Sequence, residues 1–168
     1  MKKNLLAIAT FLIICPAFSQ TTTDSRPEYM RNLSIPEFTI YKAPDSTVFT
    51  KADLEKKKAT LIMVFSPECG HCQVETNEIL KEINHFKNTQ ILMVTWLPYS
   101  EMLAFYHNYK IAEHPQILMG WDKKDFFLPY YHIQSYPGLI VYDEHGKFVK
   151  SFSGSIDLKD VWVATGNK

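Results

Sequence analysis

One stretch constrains this chain more than any other. Thr60-Leu61-Ile62-Met63-Val64-Phe65 is an unbroken apolar run, too short for a buried helix and partly β-branched, which fits a strand covered on both faces. Ser66-Pro67-Glu68 breaks it. From Cys72 the spacing turns helical, with Val74, Ile79, Ile83 and Phe86 able to share one broad apolar face. A doubly covered strand running through a tight turn into a helix requires a layered α/β domain.

The flanking segments extend this pattern. Ile35-Pro36-Glu37-Phe38-Thr39-Ile40-Tyr41 alternates, Ala43-Pro44-Asp45-Ser46 is a turn, and Val48-Phe49 returns, which predicts a β-hairpin. Lys51 to Lys57 suits a helical turn or two, and the run Lys56-Lys57-Lys58 reads as a solvated end. Gln90 to Trp96 is the next buried strand. Tyr99 to Lys110 is predicted helical with Ser100 as N-cap, Gln116 to Met119 is a short strand or extended piece, and Asp125 to Tyr131 is a turn or two. Leu139 to Tyr142 and Lys147 to Phe152 pair across the turn Asp143-Glu144-His145-Gly146, and Ile156 to Thr165 closes the chain as a helix. The aromatic side chains between residues 98 and 132 are expected to be mostly core and cover, with some forming an apolar groove for a partner.

The N-terminus differs in character. Lys2 and Lys3 precede the apolar run Leu5 to Ile14, followed by Pro16, Ala17, Phe18 and Ser19. This is the pattern of a secretory signal over residues 1–19, too short to span a bilayer. Lipid modification at Cys15 is a lesser alternative, because Ile14 replaces the small residue usual before such a cysteine. Residues 20–33 are polar and read as a flexible leader, leaving 34–168 as one domain. The protein is then expected to be exported and periplasmic.

Removing the signal leaves Cys69 and Cys72. In an oxidising compartment they can form one disulfide. So short a loop gains little stability from closure, so a redox role explains the pair better than a structural one. Cys69 falls at a helix N-terminus, where free N–H groups favour a thiolate, and Cys72 lies one turn inside. Cys69 is thus the candidate nucleophile and Cys72 the resolving thiol. His71, if protonated, would stabilise the thiolate, whereas the Glu68 carboxylate opposes it. Eighteen basic and eighteen acidic residues cancel, and no basic stripe suggests nucleic acid. A zinc site would need four ligands, and no second cysteine pair exists.

The segment from Leu61 to Cys72, followed far downstream by Ser135-Tyr136-Pro137-Gly138 before a strand, resembles the thioredoxin superfamily over about residues 34 to 165. It is most similar to the TlpA/ResA-like branch of exported reductases, in its signal, its Ile-Pro-Glu-Phe-Thr-Ile hairpin and its extra segment before Pro137. The resemblance implies a three-layer α/β sandwich with a mixed sheet, an N-terminal hairpin and an inserted helical segment. It implies a redox-active Cys69–Cys72 disulfide, a cis Pro137 facing it, Tyr136 offering backbone groups to substrate, and Glu75 in an acidic position that exchanges a proton with Cys72. It implies thiol–disulfide exchange, most simply reduction, on exported proteins carrying disulfides or dithiols. Electrons would come from a membrane or periplasmic donor, with no cofactor or metal, and the protein would act as a monomer. Two features depart from the branch: Glu68 stands where Trp is common, and Met63 stands where thioredoxin has a buried Asp. Two other readings remain open. Ser66-Pro67-Glu68-Cys69 faintly resembles a peroxidatic site, although Arg26 and Arg31 are the only arginines. A copper-binding module would need a distant histidine such as His132.

Overall fold

The computed structural model describes residues 24–154 and 156–166. The signal assigned to residues 1–19, Cys15 and the first part of the leader lie outside the described residues. Among those described, the strands are β1 (Thr39–Lys42), β2 (Val48–Thr50), β3 (Ala59–Val64), β4 (Thr89–Thr95), β5 (Ile117–Trp121), β6 (Gly138–Tyr142) and β7 (Phe148–Ser153). The helices are α1 (Glu28–Arg31), α2 (Gly70–Lys81), α3 (Tyr99–Asn108), α4 (Phe127–Tyr130) and α5 (Leu158–Ala164). The strands form one mixed sheet in the order β2-β1-β5-β4-β3-β6-β7.

The unbroken apolar run has the predicted position. All six residues of β3 are buried, between parallel β4 and antiparallel β6. Its side chains divide by parity. Leu61, Met63 and Phe65 join Ile91, Met93, Leu139 and Val141 under the helices, packing on Cys72, Ile79, Met102, Phe105 and Val161. Ile62 and Val64 face the other way with Leu92, Val94, Ile140 and Tyr142, packing on Ile40, Phe127 and Tyr131. The steps β3 to β4 and β4 to β5 cross the sheet in the same direction. Right-handed crossovers therefore put α2 and α3 on the same face, and α4 packs on the opposite one through Phe127. A fully buried aliphatic side chain in such a layer stabilises the fold by roughly 1.5–3 kcal/mol.

The structure corrects several expectations. The extra segment is helix, strand, helix: β5 pairs in parallel with β4 and antiparallel with β1, which places it between the hairpin and the rest of the sheet. Close approach there requires Gly120, because a Cβ at that position would run into Ile40. Strand β1 starts at Thr39, and the preceding residues run along the β6–β7 turn instead, with Ile35 N–H donating to the Gly146 carbonyl at 3.1 Å. The described part of the leader is packed, since Tyr29 is 6% exposed and sits edge-on against Tyr131 and Phe148 at 5.3 and 5.4 Å. Helix α3 begins at Tyr99 after Pro98, so Ser100 lies inside the first turn. Pro at this boundary suits a helix start, where no amide partner is needed.

Helix α2 also differs from its predicted face. It ends at Lys81, and Ile83–Phe86 forms a separate 3-10 turn. Val74 is 62% exposed, while the buried face carries Cys72, Glu75, Thr76 and Ile79. A carboxyl thus occupies a position that hydropathy alone assigns to solvent.

Candidate active site

After β3, Cys69 N–H donates to the Ser66 carbonyl at 3.1 Å, closing a turn, and Gln73 Nε2 donates to the Pro67 carbonyl at 2.9 Å, tying that turn to α2. Cys69 is the N-cap of α2, and its Sγ accepts the Cys72 N–H at 3.4 Å. Sulfur here takes the role of a capping oxygen, at the end of the helix where unpaired amides favour negative charge. Cys69 is half-buried, whereas Cys72 is fully buried. A side chain at Gly70 would meet nothing within 4 Å, so the surface beside Cys69 is open. Cys69 and Cys72 are present as free thiols, the reduced form of the pair.

The chain returns to this point 67 residues later. Cys69 Sγ lies 4.0 Å from the Tyr136 carbonyl, and the Tyr136–Pro137 peptide bond is cis. Pro137 is buried, and Gly138 next to it leaves room for Ile133, whose Cδ1 a Cβ would strike. The Tyr136 ring stacks on Trp96, with centroids 5.0 Å apart and planes at 28°. Sequence reasoning missed Trp96. Its position just past the end of buried β4 is a usable signal, because α/β sheets place ligand sites beyond the carboxyl ends of their strands.

Beneath the surface lie two groups whose acidity burial has altered. Burial, reinforced by Cys69, pushes the Cys72 thiol up to about 12. Burial, with a smaller contribution from Glu78, raises Glu75 from 4.5 to about 7. Glu75 is 8% exposed and its Oε1 has no hydrogen-bond partner. Cys72 and Glu75 share the buried face of α2 one turn apart, and of the two only Glu75 is shifted to near neutrality.

Two clefts flank the active-site turn. The larger, of about 1160 Å³, is lined by Cys69, His71, Val74, Glu75 and Tyr136 and closed on its far side by Leu158 and Trp162. The smaller, of about 460 Å³, lies between α2 and α3 and is lined by Glu68, Gln73, Glu101 and Phe105. His71 and Glu68 are exposed, and each lines a different one of these two clefts. Neither makes a hydrogen bond or ion pair among the described residues. His132 is not brought to the dithiol; it lines a different cleft with Tyr29 and Tyr131. Arg26 pairs with Asp24 at 2.7 Å, and Arg31 Nε donates to the Arg26 carbonyl, so both are engaged near α1.

No family model matches the chain, and no curated protein matches its sequence. Solved structures do. A Neisseria meningitidis protein assigned to the thioredoxins matches with a TM-score of 0.63 at 23% identity, over 76% of this chain and 84% of its own. The thioredoxin domain of a thiol-disulfide oxidoreductase from Bacteroides vulgatus matches with a TM-score of 0.63 at 23% identity, over 77% and 91%. The exposed lipoprotein thioredoxin of Streptococcus pneumoniae matches with a TM-score of 0.56 at 21% identity, over 76% and 98%. The fold is therefore thioredoxin-like.

Proposed function

We propose that this protein is an exported thiol–disulfide oxidoreductase of the TlpA/ResA type that reduces disulfides in other exported proteins. The observation that carries this reading is the pairing of an accessible Cys69 at a helix N-terminus with a buried Cys72 and a buried, unpartnered Glu75. The Cys69 thiolate attacks a substrate disulfide. A Cys69–substrate bond forms, the substrate bond breaks, and one substrate thiolate leaves. Glu75 takes the proton from Cys72, either directly or through water. Cys72 then attacks Cys69 Sγ, the internal disulfide forms, and the second substrate thiolate leaves. Two electrons pass to the substrate, and a membrane or periplasmic donor restores the dithiol. Tyr136 offers its carbonyl edge to the incoming chain, and Pro137 walls the site.

Electrostatics favours reduction as the direction. A strong oxidant stabilises its reduced, anionic form. Here the two clefts flanking the turn carry six carboxylates and one lysine. Export is supported by the N-terminal sequence and by the neighbour described as an exposed lipoprotein. No helix among the described residues is long and apolar enough to cross a membrane. The peroxidase reading lacks support, since both arginines are engaged near α1. The test is insulin reduction by the wild type and by Cys69→Ala. Turnover confined to the wild type supports the reading, and equal turnover by both removes it.

A further inference from the structure

The chain carries no net charge, with eighteen basic and eighteen acidic residues. Its charges are not evenly placed. On the larger cleft, α2 contributes Glu75 and Glu78 from its buried and exposed sides, and Glu82 follows at its C-cap. Across the cleft, Asp157 and Lys159 offset each other. On the smaller cleft, Glu68 and Glu101 face no lysine or arginine. The nearby partners are weak: Lys81 meets Glu78 at 3.6 Å, both largely exposed to solvent, and half-buried His85 lies 3.5 Å from half-buried Glu82. Glu75, 8% exposed, forms part of the wall beside Cys69, and its Oε1 has no partner. Exposed Val74 adds an apolar step to the same wall.

We propose that these clefts dock a polypeptide segment whose reactive disulfide is flanked by lysine or arginine. This rests on the reductase reading above and specifies its substrate class. A cationic flank meets Glu78 and Glu82 on one side of the dithiol and Glu68 and Glu101 on the other. Clefts lined by one sign of charge concentrate the opposite sign and raise association rates, an effect that salt screens. An acidic flank meets like charge in both directions and is rejected.

The experiment uses the full chain in its dithiol form. Three disulfide peptides of equal length carry lysine, serine or glutamate beside the cysteines. A small uncharged disulfide, bis(2-hydroxyethyl) disulfide, serves as the fourth probe. Second-order rate constants are measured at low and high salt. The expected result is that the lysine peptide outpaces the glutamate peptide by roughly tenfold or more at low salt, with the gap closing at high salt. Glu78→Gln with Glu82→Gln brings the ratio toward one, while Glu144→Gln, in the β6–β7 turn at the far end of the sheet, leaves it alone. Equal low-salt rates for the three peptides, or a faster glutamate peptide, overturn the proposal while the uncharged disulfide is still reduced. If the uncharged disulfide and all peptides go unreduced, the reductase reading itself fails and this proposal with it.

Discussion

Two buried carboxyls in this molecule have opposite kinds of surroundings. Asp122 is 2% exposed, directly after β5 on the strand-end edge of the sheet. Its Oδ2 accepts the Phe127 N–H at 2.8 Å, so it supports the first turn of α4, while its Oδ1 has no partner; nearby backbone amides offset part of the burial that raises its pKa. Glu75 is about as buried but has no such support. No hydrogen bond reaches it, and Glu78 adds repulsion. A carboxyl held by backbone amides does structural work. One left without partners costs stability and persists where chemistry needs a proton acceptor near neutral pH.

The largest expected effects fall on Glu75. Its raised value means that the folded state binds this proton more tightly than the unfolded state does. The stability it contributes is present in full below about 4.5 and is lost as pH rises to about 7, a change of up to about 3 kcal/mol. Chemical denaturation across that range should show the decline in the wild type and its loss in Glu75→Gln. The same variant should slow formation of the internal disulfide by roughly 100-fold and remove the ionisation near pH 7 from the turnover profile. A Glu75→Gln protein with wild-type turnover and an unchanged stability slope would erase the distinction between the two carboxyls.

Asp122→Ala should behave in the opposite way. Loss of the buried bond to the Phe127 N–H should cost roughly 1–2 kcal/mol in urea unfolding, with turnover kept at wild-type level. A smaller effect is expected at Trp96. Its stack on Tyr136 contributes about 0.5–1.5 kcal/mol, so Trp96→Ala should lower kcat/KM a few-fold by loosening Tyr136 beside Cys69. Turnover of a small uncharged disulfide should change less than that of a peptide, because only the peptide uses the Tyr136 backbone.

Much of this architecture was legible in the sequence, for identifiable reasons. The β3 run and the Cys69-to-Cys72 turn are local patterns, and burial on both faces leaves β3 no alternative. The facing Tyr136–Pro137 came from a resemblance, since nothing local says that these residues meet Cys69. Periodicity failed at α2 because it counts hydropathy and not position: Val74 is exposed because it points into the cleft, and Glu75 is buried because it shares a face with Cys72. The strand role of β5 was only half visible, because pairing partners from β1 and β4 are supplied by distant sequence. Tyr29 was missed because one aromatic side chain in a polar stretch gives no periodic signal, although it docks on Tyr131 and Phe148.

The central claim is that an acidic surround makes this dithiol an electron donor. Equilibration of the Cys69–Cys72 pair against a glutathione or thioredoxin couple measures this directly. The account predicts a potential near that of thioredoxin, about −270 mV, and a value near about −120 mV, that of a strong oxidant, would contradict it.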